Sequence, residues 1–179
     1  MIVKWSHPSR QTHIEVTIMT TSFTRALLDS RGGSAALILR VPVGLILAAH
    51  GAQKLFGWFG GYGLEATGQW MASIGLQPGF LMALLAGGAE FLGGLALALG
   101  LLTRPAALVT AFTLLVAIFS VHIGNGLFMA NNGYEYALTL LAATLSLAIL
   151  GAGHFSVDGW LSRRIAGDNG TRHDLRSLA

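Results

Sequence analysis

No cysteine occurs among the 179 residues, which excludes disulfides, thiolate metal ligands, iron–sulfur clusters and a cysteine nucleophile. Any electrons the chain handles must come from elsewhere. Charge is the second scarcity: Asp, Glu, Lys and Arg make up 11% of the sequence, against about 25% in an ordinary soluble domain. A globule of this length exposes too much surface for so few charges to solvate. An ordinary soluble domain is therefore excluded, and the length suits a single domain.

Hydrophobic residues make up 53%, with 24 glycines besides. They gather into runs long enough to cross a hydrocarbon core of about 30 Å, which takes about 20 apolar residues in helix. Four runs qualify: Ala35 to Phe56, Phe80 to Leu102, Ala106 to about Gly126, and about Glu135 to Leu150. Backbone amides left unpaired in lipid are costly, so each run should be helical. The expected fold class is all-α: an integral membrane four-helix bundle of antiparallel hairpins. Residues 1–34 form an N-terminal segment, 35–151 the membrane domain and 152–179 a tail.

Basic residues set the orientation, because short loops rich in Lys and Arg stay in the cytoplasm. Lys4, Arg10, Arg25 and Arg31 precede the first run, Arg104 lies between the second and third, and Arg163, Arg164, Arg172 and Arg176 follow the fourth. The connections Gly57 to Gly79 and Leu127 to Gly133 have none. Both termini are expected on the cytoplasmic side. The net charge of +3 is then a topology signal and a grip on anionic lipid, with no nucleic-acid partner required. Residues 1–34 lack the apolar stretch and cleavage site of a secretory signal. Met19 is an alternative start, and Ser22 to Asp29 has the pattern of a short amphipathic helix lying on the membrane.

The long outer connection is rich in glycine and carries Trp58, Phe59, Tyr62 and Trp70. Such rings favour the headgroup region and would anchor helix ends; alternatively, the glycines would hinge a lid over an outward pocket.

Six ionisable groups fall within the apolar runs: Arg40, His50, Lys54, Glu90, His122 and Glu135. Each costs about 2.5–3.5 kcal/mol to insert, so each needs a partner or a purpose. Arg40, Leu47, His50 and Lys54 share one stripe of the first helix, while Ala83, Gly87, Gly94 and Ala98 surround Glu90 with small residues that admit a close neighbour. Glu135, Thr139 and Ser146 share a face of the fourth. Counted from the inner ends at about 1.5 Å per residue, His50, Glu90 and His122 reach about 18–24 Å, Lys54 and Glu135 lie further out, and Arg40 stays near about 8 Å. Five groups are thus expected to meet in the outer half, with Arg40 snorkelling inward or reaching Asp158. Structural ion pairing would explain any one of them. As a set they point to a polar pocket, since buried ion pairs stabilise poorly compared with apolar packing. No metal site is expected, because no close-spaced ligand pair accompanies His50, His122 and Glu90.

Several segments resemble the DoxX family of small bacterial membrane proteins. They are Arg40-Val-Pro-Val-Gly44, His50-Gly-Ala-Gln-Lys54-Leu-Phe-Gly57, Gly87-Gly-Ala-Glu90-Phe-Leu-Gly-Gly94, Gly100-Leu-Leu-Thr-Arg104-Pro, Asn132-Gly-Tyr-Glu135 and Gly151-Ala-Gly-His-Phe-Ser156-Val-Asp158. The resemblance covers roughly residues 35 to 160 and carries Arg40, His50, Lys54, Glu90, Glu135 and Asp158 over as motif positions. His154 departs from it, standing where the family more often has another polar or basic residue. The resemblance implies a four-helix protein of the bacterial cytoplasmic (inner) membrane, tied in several members to redox systems such as thiosulfate:quinone oxidoreductase or oxidative-stress enzymes.

Three functions follow as expectations. The first is a membrane subunit of an oxidoreductase, with quinone in an outer-half pocket and a redox protein as partner. Lys54 or His50 would donate a hydrogen bond and Glu90 would pass protons, while Arg40, His122, Glu135 and Asp158 serve binding. The second is a small-solute or proton carrier, for which Pro42 and the pairs Gly87-Gly88 and Gly93-Gly94 would break helices. The third is an anchor for a soluble enzyme, working through the tail. Gly and Ala faces also suit a homo-oligomer.

Overall fold

The computed structural model describes residues 32–164; the amphipathic helix expected at Ser22 to Asp29 and the Met19 start lie outside them. The described residues are helical, with no strand among them. Three helices are long and apolar enough to cross a membrane: α1 (Gly33–Phe56), the α3 helix (Gly79–Leu99), and α4 (Thr103–Ala117) with its continuation to Asn125. Between α1 and α3 lies the shorter α2 (Gly63–Ser73), and α5 (Glu135–Leu150) follows the outer loop. At about 1.5 Å per residue α3 is about 32 Å long, matching the hydrocarbon thickness, whereas α5 is about 24 Å.

The termini of these helices follow from backbone chemistry. Gly57 ends α1 and Gly100 ends α3 in the left-handed conformation, at φ of 72° and 67°. That conformation carries no Cβ penalty for glycine. Leu102 also sits at positive φ, 45°, and is held there because Asp158 accepts hydrogen bonds from the backbone N–H groups of Leu102 and Thr103, at 2.7 and 2.8 Å. A carboxylate from the distant C-terminal segment thus satisfies the first donors of α4 and complements its dipole. Pro105 falls within the first turn of α4, where its missing N–H is not needed.

The tightest seam lies between α1 and α3. A Cβ built on Gly44 would meet the backbone of Gly94 and Ala98, one on Gly51 the backbone of Phe91 and Gly87, and one on Gly94 the backbone of Ala48 and Gly44. The small-residue stripe around Glu90 therefore packs inside the chain, where backbones approach closely enough for dispersion contacts to replace the missing hydrophobic drive in lipid. Helices α4 and α5 form the second pair, and Leu47, Leu97, Leu114 and Leu147 knit the two pairs into one core. Both α1 and α3 run unbroken through Pro42 and through the paired glycines. The irregularity falls elsewhere, in a π-helical turn at Ile118–His122 that ends α4.

The end of the bundle at the α3–α4 turn is fastened by Arg40, which is 2% exposed. Its guanidinium donates to the carbonyl oxygens of Ala152, Leu97, Ala98 and Phe155. Five fixed N–H donors in one plane suit a cage of carbonyls at helix C-termini, where the partial charge is negative. Asp158 lies in the same layer, its N–H bonded to the Gly100 carbonyl. Residues 157–164 continue from it as helix.

Candidate functional site

A cavity of about 930 Å³ lies in the half of the molecule where α1 ends and α3 begins. His50, Lys54, Glu90 and His122 all line it, so four of the five groups expected to converge in the outer half are brought to one space. Each arrives by a different route. His50 and Lys54 stand one turn apart on α1, the latter in its last turn. Glu90 projects from the middle of α3, between Gly87 and Gly94 of the close seam. His122 comes from the π-helical turn, which inserts an extra residue into the helical register, a device found often at functional sites.

The central pair is Lys54 and Glu90, with Nζ donating to Oε2 at 2.6 Å. Their side chains are 26% and 7% exposed, so the carboxylate depends on the ammonium for compensation while the ammonium keeps one side open. Beside them, His50 Nε2 lies 3.4 Å from the Tyr136 hydroxyl, their rings tilted with centroids 5.8 Å apart. Nδ1 of His122 lies 2.9 Å from the Asn132 carbonyl oxygen, a contact it can make only as N–H donor, which leaves Nε2 as the acceptor of the neutral ring.

The rest of the wall is apolar. From α3 come Met82, Leu85, Ala86 and Ala89, and from α4 Leu108, Val109, Phe112, Val116 and Ala117. Thr113 and Ser120 add two hydroxyls. The connection after α1 supplies the outer cover: Tyr62 precedes α2, Trp70 and Met71 lie on it, and Leu76 follows it. This connection contains an 11-residue helix whose Gly68 meets Gly79 and Phe80 at the start of α3.

Three of the expected site residues lie away from the cavity. Arg40 and Asp158 fasten the end at the α3–α4 turn, as described above. Glu135 works at the start of α5: its Oε1 accepts from the Met129 N–H at 2.6 Å, and its own N–H donates to the Leu127 carbonyl, fixing the loop that holds Asn132. Thr139 and Ser146 on the same side of α5 bond back to the carbonyls of Glu135 and Ala142, while the core takes Ala137, Leu140, Thr144 and Leu147. Sequence reasoning missed Tyr136 and the hydroxyls of Thr113 and Ser120. The last two share a face with Ala117 at four- and three-residue steps, a small, polar stripe that was readable. Tyr136 gave no signal beyond its place at the start of α5. Among the described residues no three His, Asp or Glu side chains converge as metal ligands.

The arrangement pairs a donor cation with an acid in a largely apolar cavity, with two imidazoles near by. Such a site can hold a polar head against a hydrophobic wall and exchange protons with it.

Comparison with known proteins gives a consistent family signal. The DoxX family profile matches residues 35–123. The protein named "Putative oxidoreductase CatD" from Bacillus subtilis is 36% identical over 122 residues, covering 68% of this chain and 83% of that one. "Inner membrane protein YqjF" from Escherichia coli is 36% identical over 134 residues, covering 72% and 92%, and "Inner membrane protein YphA" from the same organism is 32% identical over 127 residues, covering 68% and 86%. No solved structure matches the chain.

Proposed function

This chain belongs to the DoxX family and is a multi-pass protein of the cytoplasmic membrane, and from that premise we propose that it is the membrane subunit of a redox system whose cavity binds the head group of a quinone. The observation that carries the reading is the Lys54–Glu90 pair at the polar end of a 930 Å³ apolar cavity. A quinone ring needs an apolar slot with a hydrogen-bond donor at a carbonyl oxygen. Lys54 is that donor, with His50 beside it. Conversion to the quinol takes two electrons and two protons. Glu90 and the imidazoles of His50 and His122 are the groups able to deliver the protons. The electrons come from a partner protein, because a chain without cysteine offers no thiolate or iron–sulfur centre. The relative named as an oxidoreductase supports a redox role.

In this reading four helices cross the bilayer as antiparallel hairpins, with α5 accommodated by local thinning or its flanking loop, and both termini are cytoplasmic. The cavity then opens toward the outer leaflet. Unbroken α1 and α3 favour a binding site over an alternating-access carrier, which characteristically uses discontinuous helices.

The test is copurification from native membranes in mild detergent, followed by quinone reduction with the complex obtained. Glu90→Gln should abolish quinone-dependent turnover while the complex assembles normally. Full turnover in that variant, or recovery of the chain without any redox protein, would overturn the proposal.

A further inference from the structure

The cavity has a side as well as an end. Helices α3 and α4 touch where Gly93 meets the methyl group of Thr110. From about that level outward the cavity lies between them, bounded by Ala86 and Ala89 on one helix and Thr113 and Ala117 on the other. Along α4 the lining runs from Leu108 to His122, about 21 Å at the helical rise. Its inner part is open as well. Leu108 is 56% exposed and Phe112 67%. Both belong to a helix that crosses the membrane, so what they are exposed to is hydrocarbon. Lys54, Glu90 and His122 line the part beyond them.

From this shape we infer that the cavity is loaded sideways from the bilayer, through a slot between α3 and α4, by an amphiphile whose hydrocarbon tail rests along Leu108, Val109 and Phe112. The inference rests on the proposed head-group site at Lys54 and Glu90 and specifies the class of molecule that reaches it. Two features commit the slot to a tail. It is continuous with the polar end, so head and tail of one molecule fill both parts. It also carries no ionisable side chain, so a water-soluble ligand gains nothing by extending into it. Lipid is as apolar as the slot, so the tail adds little binding energy of its own; the slot serves as passage and exit for the chain.

The experiment uses the full chain in nanodiscs and two probes: a dimethoxy-methyl-benzoquinone without a tail, and the same ring bearing a ten-carbon alkyl chain. Leu108→Trp and Phe112→Trp, singly and together, narrow the slot without touching the polar end. Binding of the tailed ring should weaken at least tenfold in the double variant, and binding of the tailless ring should stay within twofold. Equal loss or equal retention of both would overturn the side entry. A second measurement is independent of any quinone: a fatty alcohol carrying a mid-chain diazirine is photolysed in the same discs and its adducts mapped by mass spectrometry. Adducts concentrated at residues 108–112 support the slot even if neither ring binds, in which case the head-group reading alone fails. Adducts spread evenly over every lipid-facing residue, or absent from these positions because another helix covers them, overturn the inference.

Discussion

Removing the Lys54–Glu90 pair one partner at a time, and then both together, separates what the pair does for stability from what it does for chemistry. At 2.6 Å the gross attraction between two unit charges is about 6 kcal/mol at an effective dielectric of 20. Desolvation offsets much of this, several kcal/mol for each buried ion. Lys54→Met leaves the carboxylate, 7% exposed, with no counter-charge, and should destabilise by about 3 kcal/mol. Glu90→Leu leaves an ammonium that is a quarter exposed and can turn toward the cavity mouth, so its cost should be nearer 1 kcal/mol. The double variant restores an apolar match and should lie within about 1 kcal/mol of the unmodified protein. The cycle then gives a coupling of about 4 kcal/mol. Reversible unfolding in bicelles or mild detergent measures it. A coupling below about 0.5 kcal/mol would refute the claim that the two charges act as one buried unit. A double variant as stable as the original yet inactive would place the reason for the pair in its chemistry.

The close α1–α3 seam predicts that Gly51→Val blocks folding or costs more than about 3 kcal/mol by overpacking against the Phe91 backbone; Gly88→Ala on the facing helix α3, with open space around its Cβ, is the neutral control in the same unfolding assay. Arg40→Met should strip four carbonyls of their donor and cost about 3 kcal/mol or more, and Arg40→Lys should not rescue it, since an ammonium lacks the planar fork. Asp158→Ala should lose about 1–2 kcal/mol by uncapping α4, with Asp158→Asn intermediate. The absence of cysteine makes orientation directly testable: a single cysteine at Gly60 should react with an impermeant maleimide added outside intact cells, whereas one at Ser162 should react only after lysis.

How far the sequence reached depended on where the signal was local. Long apolar runs announced α1, α3 and α4 within a few residues of their ends, because a membrane penalises every unpaired amide and leaves few alternatives. The stripe of Arg40, His50 and Lys54, and the small residues beside Glu90, followed from helical periodicity alone. Helix α2 was invisible, since five of the 17 residues from Gly57 to Ser73 are glycine and helix propensity there is poor. Packing against the start of α3 makes it helical. Glu135 has the same chemistry as Glu90 but sits in the first turn of α5 beside a folded loop, so backbone N–H groups reach its carboxylate before any cavity does. The carbonyl cage of Arg40 depends on four backbone groups from two segments distant in sequence, which no spacing rule encodes. The π-helical turn that delivers Ser120 and His122 is likewise a tertiary outcome, written in no motif of the sequence.

The most direct test is equilibrium binding of a short-chain quinone to the purified protein in nanodiscs, compared between the unmodified chain and the Lys54→Met/Glu90→Leu double variant. Saturable, stoichiometric binding that weakens at least tenfold in the double variant is the expected result. Non-saturable uptake, equal in both proteins and matched by empty discs, would contradict the account.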